Sequence, residues 1–111
     1  MSKQPEEYLR HILKEVDYLL VETKGLTIVD FLKDETKMRA FARSLEIIGE
    51  AAKQVDQTYR EKYPDVDWKA MSGMRDRLIH HYFGVDYEIV WDVVGNEIPK
   101  LKNQIEQILE K

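Results

Sequence analysis

Met74-Arg75-Asp76-Arg77-Leu78-Ile79-His80-His81-Tyr82-Phe83 is the stretch on which the reading of this chain turns. It holds two of the three histidines and two of the six arginines, set beside apolar residues with the spacing of a buried helix face. At about 100° per residue, Trp68, Met71, Arg75, Leu78 and Tyr82 form one stripe. The spacing therefore predicts a helix from Trp68 to Gly84, with an N-cap supplied by Asp65-Val66-Asp67. On that stripe Arg75 interrupts an apolar line, where an unpaired guanidinium is costly. It should find a carboxylate, with Glu46 and Glu50 as the candidates, or face a cleft. His80 lies about 140° around the same helix from Arg75, so on one straight helix the two cannot meet. Either the last turn unwinds before Gly84, or the partner groups come from a second copy of the chain.

Working outward, the rest also reads as helices. Pro5 suits a first turn, and Leu9, Ile12, Leu13, Val16, Leu19 and Leu20 follow at three-and-four spacing up to Gly25. Thr27 or Asp30 can cap a short turn holding Ile28, Val29, Phe31 and Leu32. Asp34 then caps a long helix expected to run to Tyr63-Pro64, with Met38, Phe41, Leu45, Ile48, Ala52, Val55 and Tyr59 on one stripe. Ile47-Ile48-Gly49-Glu50-Ala51-Ala52 brings small residues together and should be the tightest helix crossing. After the motif, Asp86 caps a final helix that Gly95-Asn96 and Pro99 should kink or divide. No alternating strand pattern, repeat or low-complexity segment occurs. The expected fold is all-α, an up-and-down bundle of four or five helices.

Length and composition bound the function. The 111 residues, 43% hydrophobic, fit one domain spanning 1–111. Without cysteine there are no disulfides, thiolate metal sites or cysteine nucleophiles. No apolar run approaches about 18 residues, so no membrane partner is expected. The charged start, MSKQPEEYLR, has no apolar signal region, and the expected compartment is the cytoplasm. Net charge is -4, yet it is unevenly spread: residues 35–83 carry nine basic against eight acidic side chains, while both flanks are acidic. With no long basic stripe, any nucleic-acid contact should be local and involve few phosphates, and DNA is not expected as a partner. Glu-x-x-His pairs, a Walker loop, GxGxxG, a nucleophile elbow and a zinc ligand set are all missing, so no metal or cofactor is expected.

Arg75-Asp76-Arg77-Leu78-Ile79-His80-His81-Tyr82 resembles the Arg-x4-6-His motif of HEPN ribonucleases, in the Arg-x4-His-x-Tyr form of the HepT-type toxins. Arg39 to Lys53, with Leu45-Glu46-Ile47-Ile48-Gly49-Glu50-Ala51-Ala52, is similar to that family's long helix, and the chain length fits its small helical domain. The resemblance implies a homodimer with motif helices facing across a cleft, and a metal-independent endoribonuclease acting on RNA. It implies His80 as the proton-transferring group and Arg75 as the cation on the phosphate, with Asp76 in support. Arg77 and His81 would be further RNA contacts. It also implies that Tyr82 accepts AMP from a cognate MntA-like nucleotidyltransferase antitoxin, which silences the nuclease of this toxin–antitoxin pair.

Each residue also has a structural reading. Arg75 can be a structural arginine tied to Glu46 or Glu50, and Tyr82 can be plain packing. His80 and His81 can be solvated residues favoured by the negative end of a helix, the better reading for His81. Arg77 can be surface charge, and Asp76 a local hydrogen-bond partner. The alternative function is a HEPN-like dimer without cleavage activity that serves a nucleotidyltransferase as a binding scaffold.

Overall fold

Proline in the first turn, followed by Leu9, Ile12, Val16 and Leu19 as a buried stripe, makes α1 (Pro5–Glu22). The computed structural model describes residues 4–80, except the side chain of His80, and residues 84–110. α1 stops where the Thr23 hydroxyl donates to the Leu19 carbonyl at 2.9 Å and Gly25 takes φ 72°. Thr27 caps α2 (Ile28–Lys33) by accepting from the Asp30 amide. Only Phe31 of that short helix is buried, so Ile28, Val29 and Leu32 face outward.

Asp34 caps α3 (Glu35–Gln54) as expected, accepting from the Lys37 amide at 3.0 Å. The helix does not run on to Tyr63-Pro64. It ends at Gln54, and Asp56 starts a separate α4 (Gln57–Lys62) by accepting from Tyr59 N–H. The break is held by Arg60, whose guanidinium donates to the Val55 carbonyl at 2.9 Å and the Ala52 carbonyl at 2.7 Å. The Ala52 carbonyl also accepts from the Val55 amide at 3.2 Å, so the cation adds a second donor at the end of the helix where positive charge is favoured.

The expected motif helix is corrected more strongly. Asp67 does cap it, accepting from Ala70 N–H, but α5 (Trp68–Ser72) ends at Gly73 and α6 (Met74–Leu78) follows. The chain then becomes extended: β1 (Ile79–His80) pairs antiparallel with β2 (Gly84–Val85), with Ile79 opposite Val85 and His80 opposite Gly84. Glycine lowers helix propensity at the first break. At the second, the Asp86 amide donates to the Leu78 carbonyl at 2.7 Å, closing a hairpin stem where another helical turn was expected. Strands two residues long are too short to show an alternating pattern.

Asp86 caps α7 (Tyr87–Asn96), accepting from the Glu88 and Ile89 amides, and α8 (Ile98–Leu109) follows. Pro99, in the first turn of α8, divides the two at Glu97, the outcome that the proline predicted. α3 is the central post: α1, α2, α5, α6 and α7 all pack on it, and α8 lies against α1 and α7. The rods α1, α3, α5–α6 and α7–α8 enclose a core that includes Leu9, Phe41, Ile48, Leu78, Val90 and Ile105, all fully buried. This is an all-α, HEPN-like bundle. Among the described residues no helix is long and apolar enough to cross a membrane.

Candidate functional site

The site begins with a close helix crossing. A Cβ built on Gly49 of α3 would lie 2.8 Å from the Met71 carbonyl oxygen and 3.2 Å from the Met74 Cβ. The absence of a side chain at Gly49 therefore lets both motif helices sit directly on α3, the tight crossing that the small-residue run predicted. Met71, Met74 and Leu78 form the buried side of α5 and α6.

That phase decides where the charges go. Met74, rather than Arg75, takes the place on the buried stripe, and Arg75, Asp76 and Arg77 are exposed. The physical reason is direct: burying a thioether stabilises, whereas burying a guanidinium costs desolvation, and a shift of one residue exchanges them. At about 100° per residue, Arg75 and Arg77 flank the buried edge of α6 from opposite sides while Asp76 points away from it.

The expected pairing of Arg75 with Glu46 or Glu50 does not form. Both carboxylates instead face Arg43 on their own helix, at 3.3 and 3.9 Å. Among the described residues nothing hydrogen-bonds or ion-pairs with the Arg75 guanidinium. Arg77 is the opposite case. Its two terminal nitrogens reach both oxygens of Glu97 in a bidentate ion pair, one bond being 2.9 Å and the other shorter. Asp67 adds a second negative field, and the Arg77 pKa is raised, first by the Glu97 hydrogen bonds. Asp67 and Glu97 line one groove of about 200 Å³ between α5 and the α7–α8 junction, floored by Met71, Met74 and Val93.

His80 follows Leu78 by two residues, on β1, and its backbone position is fixed by pairing with Gly84 at φ 71°. Its side chain, and the whole of His81 and Tyr82, lie outside the described residues. The helix ends at Leu78, before Gly84, which is the first of the two alternatives the sequence left open: Arg75 and His80 are not on one helix, so their separation around a helix axis no longer applies. Two positioning residues carried no motif signal. Asp86 was read only as a cap, yet its amide also closes the hairpin stem. Glu97 stood beside a recognised proline break, but nothing in the sequence indicated that the break would aim it at Arg77.

A large open concavity of about 740 Å³ lies at α4 and α5, lined by Arg60, Glu61, Asp65, Asp67, Trp68 and Ser72 among others, and contains no residue of α6 or β1. Arg75, without a partner among the described residues, is exposed and lies outside that concavity. Among the described residues no cluster of His, Asp and Glu is arranged to hold a metal ion.

Comparison with known proteins places these features in context. A family model described as ribonuclease HepT-like matches residues 6–108. The chain is 51% identical over 109 residues to a protein of Caldanaerobacter subterraneus subsp. tengcongensis provisionally named an RNase, covering 98% of this chain and 97% of that one. A provisionally named RNase of Methanocaldococcus jannaschii is 44% identical, with 98% and 90% covered. A Thermococcus cleftensis protein provisionally named ribonuclease HepT is 37% identical, with 97% and 98% covered. No solved structure matches the chain.

Proposed function

Because the chain belongs to the ribonuclease HepT-like family, we propose that it is a HEPN-type endoribonuclease, the toxin of a toxin–antitoxin pair. The observation that carries the reading is the Arg75 guanidinium: exposed, without a partner among the described residues, and mounted on a helix whose other face is anchored in the core. A cation with no partner among the described residues, two positions from an Arg77 that spends both terminal nitrogens on Glu97, is suited to an anion that arrives from outside.

In the proposed reaction a ribose 2′-oxygen attacks the adjacent phosphorus while His80 takes its proton; the phosphorus–5′-oxygen bond breaks and the leaving oxygen is protonated. Cleavage leaves a 2′,3′-cyclic phosphate and a 5′-hydroxyl. An imidazole with a reference pKa of about 6.5 can hold or release that proton near neutrality. Arg75 stabilises charge on the nonbridging oxygens with planar paired donors. Asp76 supports the site from the outer face of α6, and His81 is a further RNA contact. No metal takes part.

The position of Arg75 on an open surface supports a homodimer in which a second copy supplies the opposite wall of the cleft. Tyr82 accepts AMP from a cognate MntA-like nucleotidyltransferase. The added phosphate and base at that position exclude RNA by charge and by volume. The pair works in the cytoplasm.

The test is incubation of the purified protein with RNA in EDTA, beside a His80→Ala version, with the 3′ ends analysed. Cyclic phosphate from the wild type alone is the expected result. Equal inertness of both proteins, with Tyr82 shown by mass to be unmodified, would leave the scaffold reading.

A further inference from the structure

The two arginines of the motif differ in every structural respect that bears on a phosphate. Arg75 is exposed and has no partner among the described residues, whereas Arg77 spends both terminal nitrogens on Glu97 and sits in the field of Asp67. A phosphate approaching Arg77 would meet two carboxylates for one guanidinium, and to bind it would have to displace a bidentate pair. We propose that Arg77 is a positioning residue, whose clamp on Glu97 holds α6 and the following strand so that Arg75 and His80 present a fixed geometry to RNA. The proposal rests on the ribonuclease reading and assigns Arg77 a different job from the RNA contact that its place in the motif suggests.

The local architecture needs such a clamp. α6 has five residues, too few to be stable as an isolated helix. On one side it is seated in the core by Met74 and Leu78. Its rotation about that seat is limited by two ties to the α7–α8 rod. One is the Arg77–Glu97 pair. The other is the Asp86 amide on the Leu78 carbonyl, at the start of α7. Glu97 is well placed because it is the junction residue between α7 and α8, where the Pro99 break turns the chain. His80 comes only three residues after Arg77, so slack at the clamp passes directly into β1. Exposed ion pairs as a class contribute little to global stability, and Arg77 and Glu97 are 40% and 41% exposed. Their bidentate form restricts geometry more than it adds stability, and small displacements of catalytic groups are costly to rate.

A reciprocal charge swap separates positioning from RNA contact. Arg77→Glu and Glu97→Arg, made singly, should lower kcat for RNA cleavage about tenfold or more while KM moves less than about threefold. The double variant Arg77→Glu/Glu97→Arg should recover most of kcat, because the pair re-forms with its ends exchanged. If Arg77 touches RNA, the double variant stays defective, KM carries the loss, and the salt dependence of KM flattens. Backbone amide exchange at residues 74–80 and 84–86 gives a readout independent of cleavage. Each single variant should lose protection there and keep it in α1 and α3, and the double variant should regain it. If the wild type cuts no RNA, the ribonuclease reading fails on its own, and exchange alone judges the clamp. Unchanged protection in both single variants overturns the proposal.

Discussion

Gly49 of α3 faces the carbonyl of Met71 at a separation that leaves no room for a methyl group: a Cβ there would lie 2.8 Å from that oxygen and 3.2 Å from the Met74 Cβ. Two effects of Gly49→Ala oppose each other. Alanine improves helix propensity by about 1 kcal/mol. Forcing backbone apart in a packed crossing costs about 1–3 kcal/mol, and the obstructing atom is a carbonyl oxygen that cannot swing aside like a side-chain tip. The crossing should win, with net destabilisation in urea melts. RNA cleavage should fall further than stability, because the displaced elements are α5 and α6. A more stable Gly49→Ala protein would show that this crossing is looser than its geometry indicates.

Gly84 has the complementary character. Its φ of 71° lies in the left-handed region, and a Cβ there would meet nothing within 4 Å. Any effect of Gly84→Ala is therefore conformational, about 1–2 kcal/mol. Gly84→Asn should be milder, since asparagine enters this region more readily. Thermal melts should rank glycine above asparagine above alanine, and cleavage rates should follow the same order because Gly84 pairs with His80. Equal melting temperatures for all three would mean that the stem does not require this backbone geometry.

The four rods, most caps and the break at Pro99 were legible because each rests on local chemistry. Apolar spacing, Asp34, Asp67 and Asp86 ahead of their helices, and a proline without an amide all act within a few residues. The motif's geometry was not legible, because it depends on distant groups. Whether the chain stays helical past Leu78 is decided by the Asp86 amide reaching back across the hairpin. Whether Arg75 or Met74 faces the core is a shift of one residue, settled by what Gly49 leaves space for. The end of α3 at Gln54 likewise depended on Arg60 turning back to Ala52 and Val55. Tyr82 and His81 lie outside the described residues, so their roles rest on the motif alone.

Arg75→Lys isolates the fork of the guanidinium from its charge. Arg75 makes no hydrogen bond or ion pair with another described residue that a lysine would lose, so stability should stay within about 0.5 kcal/mol, as for exposed substitutions generally. Cleavage should fall about tenfold to a hundredfold, because a point charge cannot present paired donors to two phosphate oxygens. The loss should appear in kcat more than in KM, since lysine still attracts the backbone. A drop in stability with unchanged kcat would return Arg75 to a structural role.

Tyr59 gives a pH dependence with a definite sign. Burial first, then the Glu6 carboxylate and neighbouring Tyr63, push its phenol above the ordinary value of 10.0, and Tyr18 is raised by burial and by Glu22 and Glu15. An unfolded tyrosine releases its proton near pH 10, whereas the folded one still holds it, so above that pH the folded state binds more protons. Stability is therefore fully present below about pH 10 and falls as pH rises beyond it. Urea midpoints should be flat from neutrality to about pH 9 and then decline. Tyr59→Phe keeps a ring against Tyr63, whose centroid lies 5.2 Å away, and removes the titrating group, so its decline should be shallower. Should the phenylalanine variant fall as steeply as the wild type, the alkaline weakness belongs to another raised group. Lys102, held protonated chiefly by its hydrogen bond to Asp17, is then the next to test, since its loss of charge acts with the same sign.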